Sequence, residues 1–213
     1  MRYYIADCHF FHEALNREMD HRGFASVEEM NEYMIKRWNE KVRNRDEVVI
    51  LGDLSMGNAE QTNALLDRLQ GKLFLIVGNH DNRYLRSKIF HKERFGWIYP
   101  YAELHDDGRK VVLSHYPIAC YNGQYLKNKK GESRTYMLYG HVHDSHDERL
   151  IEQYQQMVEK TRIPDRDGGT QSLSSHMINC FCMYSDYQPL SLDEWIALTK
   201  QRLIRCQNVE DSL

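Results

Sequence analysis

The chain has 213 residues, 41% of them hydrophobic and 28% charged, with a net charge of −3. This is the balance of a globular chain long enough to bury a substantial core, and it favours one domain over several. It leaves no global basic field of the kind that draws a protein onto nucleic acid, and no apolar run approaches the ~20 residues a membrane helix needs.

The opening stretch Arg2-Tyr3-Tyr4-Ile5-Ala6 lacks the basic, apolar and small-residue succession of a secretory signal. The cysteines at 8, 120, 180, 182 and 206 are odd in number and scattered, which points to a reducing, cytoplasmic compartment rather than a disulfide framework.

Residues 2–6 read as a first strand, followed by Asp7-Cys8-His9. Strand side chains alternate, so Asp7 and His9 are expected to project to the same side as a pair of metal-ligand types. Residues 10–25 are polar and irregular. Ser26-Val27-Glu28-Glu29 fits a capping box, and Val27, Met30, Met34, Trp38 and Val42 then recur at helical spacing as a buried stripe. Residues 47–51 form a second strand ending at Gly52-Asp53. Residues 59–69 read as a helix between an Asn58 cap and a Gly71 stop. The third strand, Leu73-Phe74-Leu75-Ile76-Val77, ends at Gly78-Asn79-His80-Asp81, where the glycine gives a tight turn room. This alternation predicts an α/β sheet with helices on its faces and its chemistry at the carboxyl ends of the strands.

Residues 82–99 are aromatic and basic, without clear periodicity. Residues 102–105 and 109–114 flank Asp106-Asp107-Gly108, a hairpin signal, and the second run ends at Ser114-His115-Tyr116-Pro117. A polar loop covers 122–134, and its basic part, 127–134, offers an attraction for an anionic substrate. Residues 136–139 form a strand ending at Gly140-His141-Val142-His143, again with two side chains on one face. Residues 144–175 are an insertion, a polar helix over 148–161 and a loop over 164–175, which leaves the strand end carrying His141 and His143 and is placed to cover it as a lid. Residues 176–183 predict another strand, with Cys180 and Cys182 packing on one face. Ser191-Leu192-Asp193-Glu194 is a second capping box, opening a helix to about residue 205, and the last residues read as frayed.

Asp7, His9, Asp53, Asn79, His80, His115, His141 and His143 therefore gather at the ends of five predicted strands. Imidazole nitrogens suit zinc, iron and manganese, and carboxylate oxygens suit hard ions. The set exceeds what one ion needs. Two ions ~3.5–4 Å apart would share a carboxylate, activate water and clamp attacking and leaving oxygens.

In order, Asp-x-His, Gly-Asp, Gly-Asn-His-Asp, a later strand-end His and Gly-His-x-His resemble the motif series of the calcineurin-like metallophosphoesterase family, across residues 7–143. The stretch from Tyr184 to Glu194 resembles the ending of small bacterial and phage members. The resemblance implies an α/β fold, a four-layer α-β-β-α sandwich of two mixed sheets flanked by helices, in one domain of residues 1–213 with the insertion at about 144–175. It implies a metal-dependent phosphoric ester hydrolase, a phosphatase or phosphodiesterase, with two divalent or trivalent ions (Mn, Fe or Zn). Asp7, His9 and His143 would hold one ion and Asn79, His115 and His141 the other, with Asp53 bridging. His80 would stabilise charge on the substrate phosphate and protonate the leaving oxygen, and Asp81 would orient or polarise His80. His12, Arg83 and Arg134 are candidate substrate contacts, His12 also as a support for the ligands. Tyr139 stands where small relatives often carry His, so a pocket wall would differ. The expected partner is a small phosphate ester. The alternatives are a nuclease of the same fold, disfavoured by the absence of a basic excess, and a non-catalytic metal-binding scaffold, disfavoured by the full ligand set with His80.

Overall fold

In chain order the elements are β1 (Arg2–Ile5), α1 (Val27–Lys41), β2 (Glu47–Ile50), α2 (Ala59–Arg68), β3 (Lys72–Ile76), α3 (Asn82–Leu85), β4 (Phe95–Tyr99), β5 (Tyr101–Asp106), β6 (Arg109–Ser114), β7 (Thr135–Tyr139), α4 (His146–Lys160), β8 (Arg162–Pro164), β9 (Thr170–Ser172), β10 (Met177–Asn179) and α5 (Leu192–Glu210). The computed structural model describes residues 1–164 and 168–210, with side chains described to residue 204. Helix α5 runs to Glu210, past the end expected near residue 205 where fraying was to begin, and residues 211–213 lie outside the described residues.

Two four-stranded sheets carry the fold, one in the order β1-β2-β3-β4 and the other β10-β7-β6-β5. The second is mixed, because the β5–β6 hairpin is antiparallel and its other pairs are parallel. The first is not mixed, as was expected, but wholly parallel. Each of its connections passes through a helix, and such a crossover returns the chain in the same direction.

The layers follow from side-chain alternation along the strands. Tyr3 and Ile5, Val48 and Ile50, and Leu73 and Leu75 face a cluster with Met30, Met34 and Trp38 of α1 and Leu65 and Leu66 of α2. Their neighbours Tyr4, Ala6, Val49, Leu51 and Ile76 face the other way and meet Val111, Leu113, Leu138 and Ile178 of the second sheet. On that sheet's outer face, Val112, Met137, Tyr139 and Met177 pack with Ile151 and Tyr154 of α4. The order is thus helices, sheet, sheet, helix. Trp195 of α5 closes an edge of the central layer, its indole N–H donating to the Tyr4 carbonyl at 2.9 Å.

Helix starts obey their caps. Asn58 and Gln61 exchange side-chain and backbone bonds at 2.9 Å, and Ser191 and Glu194 do likewise. At α1, Ser26 accepts from the Glu29 N–H, but the Glu29 carboxylate reaches Ala25 N–H rather than that of Ser26.

Three local readings change. Strand β4 lies within the stretch that showed no periodicity. It is an edge strand with buried Phe95 beside exposed Gly96, so no buried face stands out. Strand β10 stops at Asn179, and Phe181 then bridges to Ala6 of the other sheet. The chain changes sheets there, so Cys180 enters the central layer and Cys182 the outer one, and the two thiols do not share a face. The insertion packs along the second sheet rather than across the site. Helix α4 rests on β10, its Glu148 and Glu152 lie 3.7 Å from Arg202 of α5, and β8 and β9 pair with each other. No described helix is long and apolar enough to cross a membrane.

Candidate metal centre

The candidate ligands sit just past the carboxyl ends of the strands, in left-handed backbone. Asp7 (φ 55°), His9 (48°), Asp53 (54°), His141 (73°) and His143 (50°) all adopt it. Strand alternation is therefore not what aims these side chains, since β1 stops at Ile5 and β7 at Tyr139. Left-handed turns do so, at about 1–3 kcal/mol of strain per non-glycine residue, which persists only where the surroundings over-determine it. Two glycines allow the loops to close. Gly78 lacks the left-handed φ that a tight turn would demand; what it supplies is space, since a Cβ there would overlap the Asp53 carboxylate and amide. A Cβ on Gly140 would overlap the Ala6 methyl and the Asp7 carboxylate.

The side chains converge in two groups, Asp7 with His9 and His143, and Asp7 with Asp53 and His115. In each, one ligand atom per residue lies within 4.8 Å of the others. His9 Nε2 is 3.2 Å from His143 Nε2. Asp53 Oδ2 lies between His9 Nε2 at 3.6 Å and His115 Nε2 at 3.5 Å. Asn79 Oδ1 is 2.9 Å from His115 Nε2 and 3.0 Å from His141 Nδ1. The proton positions follow from the outer partners. His115 Nδ1 lies 2.8 Å from the Leu51 carbonyl, and His143 Nδ1 lies 2.8 Å from the Asp20 carboxylate. Both partners only accept, so both Nδ1 atoms carry hydrogen and each Nε2 turns a lone pair inward. Lone pairs of nitrogen and oxygen facing one another at about 3 Å repel unless a cation lies among them. The donor set fits bound metal, and its mixed imidazole, carboxylate and amide composition suits manganese, iron or zinc.

Burial raises the Asp7 carboxyl to a pKa of about 6 against the pull of His143 and His115. Burial, helped by His143 and Arg22, holds His9 well below the usual imidazole value. It also lowers His141, with His115 adding to the effect. At His143 burial works in the same sense, but the Asp20 hydrogen bond and the Asp7 charge outweigh it and the pKa rises. Three of these four groups thus lean to the neutral form, and His143 is held instead by its carboxylate partners.

A cavity of about 360 Å³ opens over the centre, lined by His9, Asp53, Asn79, His80, His141 and His143 together with His12, Leu15, Met19, Asp20, Val142, Asp144, Ser145 and Asp147. His80 stands in it with its side chain 43% exposed and Nε2 4.0 Å from Asp53 Oδ2. His12 is half-buried at the wall, its ring centroid 5.6 Å from that of His9 and its Nδ1 accepting from Leu15 N–H. From the insertion only Asp144, Ser145 and Asp147 reach the lining, so the described residues do not form a lid.

Other expected roles shift. Asp81 does not orient His80. Its fully buried carboxylate accepts from the backbone N–H groups of Asp53 and Leu54 at 3.0 Å each, from Gly78 N–H at 2.7 Å and from the Tyr84 hydroxyl at 2.6 Å. It staples the loop after β2 to the loop after β3. Arg83 is exposed on α3 and absent from the cavity lining. Arg134 precedes β7 and His141 follows it, so Arg134 lies at the opposite end of the sheet, about 16 Å of strand from Tyr139. It borders a surface depression there with Lys127 and Lys200, and the basic loop does not face the centre. Tyr139 forms no pocket wall; it is buried, with its hydroxyl donating to Glu148 at 2.9 Å.

Asp20 and Arg22 belong to the site although the sequence around them reads only as irregular. Asp20 meets His143 from 123 positions away, and no local spacing announces such a contact.

The family model for calcineurin-like phosphoesterases matches residues 3–194. The chain is 31% identical over 209 residues to an uncharacterized protein of Methanocaldococcus jannaschii, covering 97% of this chain and 96% of that one. It is 28% identical over 167 residues to the gene 66 protein of Mycobacterium phage L5, covering 66% of this chain and 76% of the phage protein. The crystal structure of a protein of unknown function from Aquifex aeolicus shares its fold, with a TM-score of 0.63 at 23% identity, over 93% of this chain and 98% of that one.

Proposed function

The chain belongs to the calcineurin-like phosphoesterase family, and on that footing we propose that it hydrolyses a small phosphate mono- or diester with a pair of bound metal ions. The observation that carries this is the convergence of inward-facing lone pairs beneath a cavity that also holds an exposed imidazole, His80. Asp7, His9 and His143 would hold one ion and Asn79, His115 and His141 the other, with Asp53, flanked by His9 and His115, shared between them. Such ions, when bound, polarise the phosphoryl group and activate water as the nucleophile. His80 binds no metal in this reading. It meets the phosphoryl oxygens and gives a proton to the leaving oxygen. His12 closes the wall beside His9 and meets the substrate from the other side.

The cavity lining favours a small substrate over nucleic acid. Among the described residues the lining contains no lysine or arginine, and it includes the exposed Asp144 and Asp147. A polyanion needs cations along its backbone track and would be repelled here. Cys8, Cys180 and Cys182, which are buried, and the exposed Cys120 are all free thiols, which supports a reducing, cytoplasmic setting. The family match over residues 3–194 supports one domain.

The test is metal analysis of the purified protein together with hydrolysis of p-nitrophenyl phosphate and bis(p-nitrophenyl) phosphate after loading with manganese, iron or zinc. The proposal expects bound metal and turnover of at least one ester, lost in Asp53→Asn. Protein that holds no metal and cleaves neither ester would be a scaffold. Salt-sensitive cleavage of an oligonucleotide in preference to both esters would make it a nuclease.

A further inference from the structure

The segment between β1 and α1 carries a buried ion pair that the proposed reaction does not use. Asp20 Oδ2 accepts from Arg22 Nε at 3.1 Å and Nη2 at 2.9 Å, while its Oδ1 takes the Nδ1 hydrogen of His143 at 2.8 Å. The Arg22 guanidinium is fully enclosed, and it also donates to the Asp7 carbonyl at 3.1 Å and the Cys8 carbonyl at 2.7 Å. One carboxylate and one guanidinium thus tie the loop after β1 to the loop after β7, which belong to different sheets.

We infer that Asp20, locked by Arg22, is a positioning residue that fixes the tautomer and rotation of His143 and so sets the metal site formed with Asp7 and His9. This rests on the metal reading proposed above. A carboxylate can only accept, so the hydrogen of His143 is kept on Nδ1 and its lone pair on Nε2 faces the centre. The other side of the ring stacks on Phe181, with centroids 4.7 Å apart and planes 21° apart, so the imidazole is held in both rotation and depth. Arg22 in turn spans the strained backbone at Asp7, so the same pair fixes two members of one site. The chain brings Asp20 into place with a π-helical turn over Leu15–Met19, closed by Asp20 N–H donating to the Leu15 carbonyl. Such turns are short and cluster at functional sites. The loop is shut behind it by Asn16, whose side chain exchanges hydrogen bonds with the Phe24 backbone at 2.8 and 2.9 Å.

Both Asp20 oxygens are engaged, which separates the residue from the ligands themselves. An amide in its place either keeps its oxygen for His143 and sets its NH2 against the Arg22 donors, or flips to give Arg22 the oxygen and turns a donor on His143 Nδ1, which favours the other tautomer. Outer partners of metal-bound histidines are typically worth 10–100-fold in metal affinity.

The experiment is titration of metal-stripped protein with manganese(II) alone, read by calorimetry for stoichiometry and affinity, beside the imidazole nitrogen spectrum of the metal-free protein. Wild type is expected to bind two ions. Asp20→Asn should lose 10–100-fold in affinity for one of them and keep the other, with the His143 nitrogen signals shifting from the single Nδ1–H tautomer toward a mixture. Asp20→Glu should recover part of the loss, and Arg22→Lys, which keeps the charge but not the fork, should fall between. Wild-type affinities at both sites and an unchanged spectrum in Asp20→Asn and Arg22→Lys would overturn the inference. So would a lowered melting temperature of the metal-free variants with unchanged manganese binding, which would make the pair purely structural. Loss of both ions together in Asp20→Asn would also overturn it, since the role assigned is confined to one site. A wild type that binds no manganese would instead remove the metal reading on which this stands.

Discussion

Asp81 gives the sharpest test of how the centre is held. Asparagine is the smallest perturbation, because it keeps the shape and one acceptor oxygen. That oxygen can retain the two backbone donors now on Oδ2, Asp53 N–H at 3.0 Å and Gly78 N–H at 2.7 Å. The new NH2 then faces Leu54 N–H and the Tyr84 hydroxyl. The hydroxyl can turn and accept, but the Leu54 N–H cannot. An unsatisfied buried donor costs about 1–3 kcal/mol, and two charge-assisted bonds fall to neutral strength, roughly another 1–2 kcal/mol together. Part of this is returned. Burial raises the Asp81 pKa against the bonds that lower it, so the folded state bears a desolvation cost that asparagine does not. The net expectation for Asp81→Asn is a loss of about 2–4 kcal/mol, or roughly 4–16 °C in melting temperature for a chain of this size. Thermal unfolding with chelator present measures it without the contribution of bound metal. Turnover at limiting manganese should fall in parallel with weakened metal binding and recover as manganese is raised, since the staple positions Asp53. An unchanged melting temperature with a hundredfold lower kcat and full metal occupancy would refute the reasoning, and would return Asp81 to the role of orienting His80.

Three other outcomes are expected. His80→Ala should keep two metal ions by elemental analysis while kcat on a chromogenic phosphate drops roughly 10²-fold or more, the usual worth of a general acid; wild-type turnover would remove its assigned role. Gly140→Ala drives a methyl into Ala6 and Asp7, and should destabilise by about 1–3 kcal/mol and weaken manganese binding in a calorimetric titration; unchanged binding would mean that the loop yields. Glu103 is held down to about 2 by its bond to Lys110 and then by Tyr101. Its ordinary value is ~4.3, so its share of stability is present above that pH and is lost as pH falls toward 2. Melting curves of metal-free Glu103→Gln should lack this part of the acid dependence, and superimposable curves would contradict it.

What could be read from the chain in advance was whatever is encoded by local spacing. The apolar runs ending in Asp7, Asp53, Asn79, His115 and His141 report both strands and site, because a parallel sheet puts its chemistry where its strands end. The same rule excludes Arg134 from the site: a residue before a strand lies at the opposite end from one after it. Period two places Cys180 and Cys182 on one face only while the strand continues, and it ends at Asn179, where the chain leaves one sheet for the other. Asp20, Arg22 and the distant partners of Asp81, Asp53 and Leu54, lie beyond reach for a different reason. Their contacts span 28 positions from Asp81 to Asp53 and 123 from Asp20 to His143. The first depends on neighbouring strands of one sheet bringing their loops side by side and the second on how two sheets stack, and no short window of sequence contains either.

Those long-range contacts explain why the local motifs can exist at all. A left-handed Asp7 or His143 would relax to ordinary backbone if nothing opposed it. The loops are opposed in pairs. Asp81 binds the Asp53 loop to the Gly78 loop, and Asp53 Oδ1 accepts in return from His80 N–H at 2.9 Å. Asp7 accepts the His141 N–H on both oxygens at 3.0 Å, which joins the loop after β1 to the loop after β7. Asp20 and Arg22 close that same junction from its other side. Each of these side chains ties together two loops that follow different strands, so no ligand loop can relax without breaking bonds to another. A site assembled this way holds its geometry before any ion or substrate arrives, and its acceptors are spent on backbone N–H groups rather than left to water. It follows that the residues which build the centre are not only those that would touch metal, and that a candidate ligand such as Asp7 serves twice, as an inward-facing carboxylate and as the acceptor that fixes its neighbour's loop.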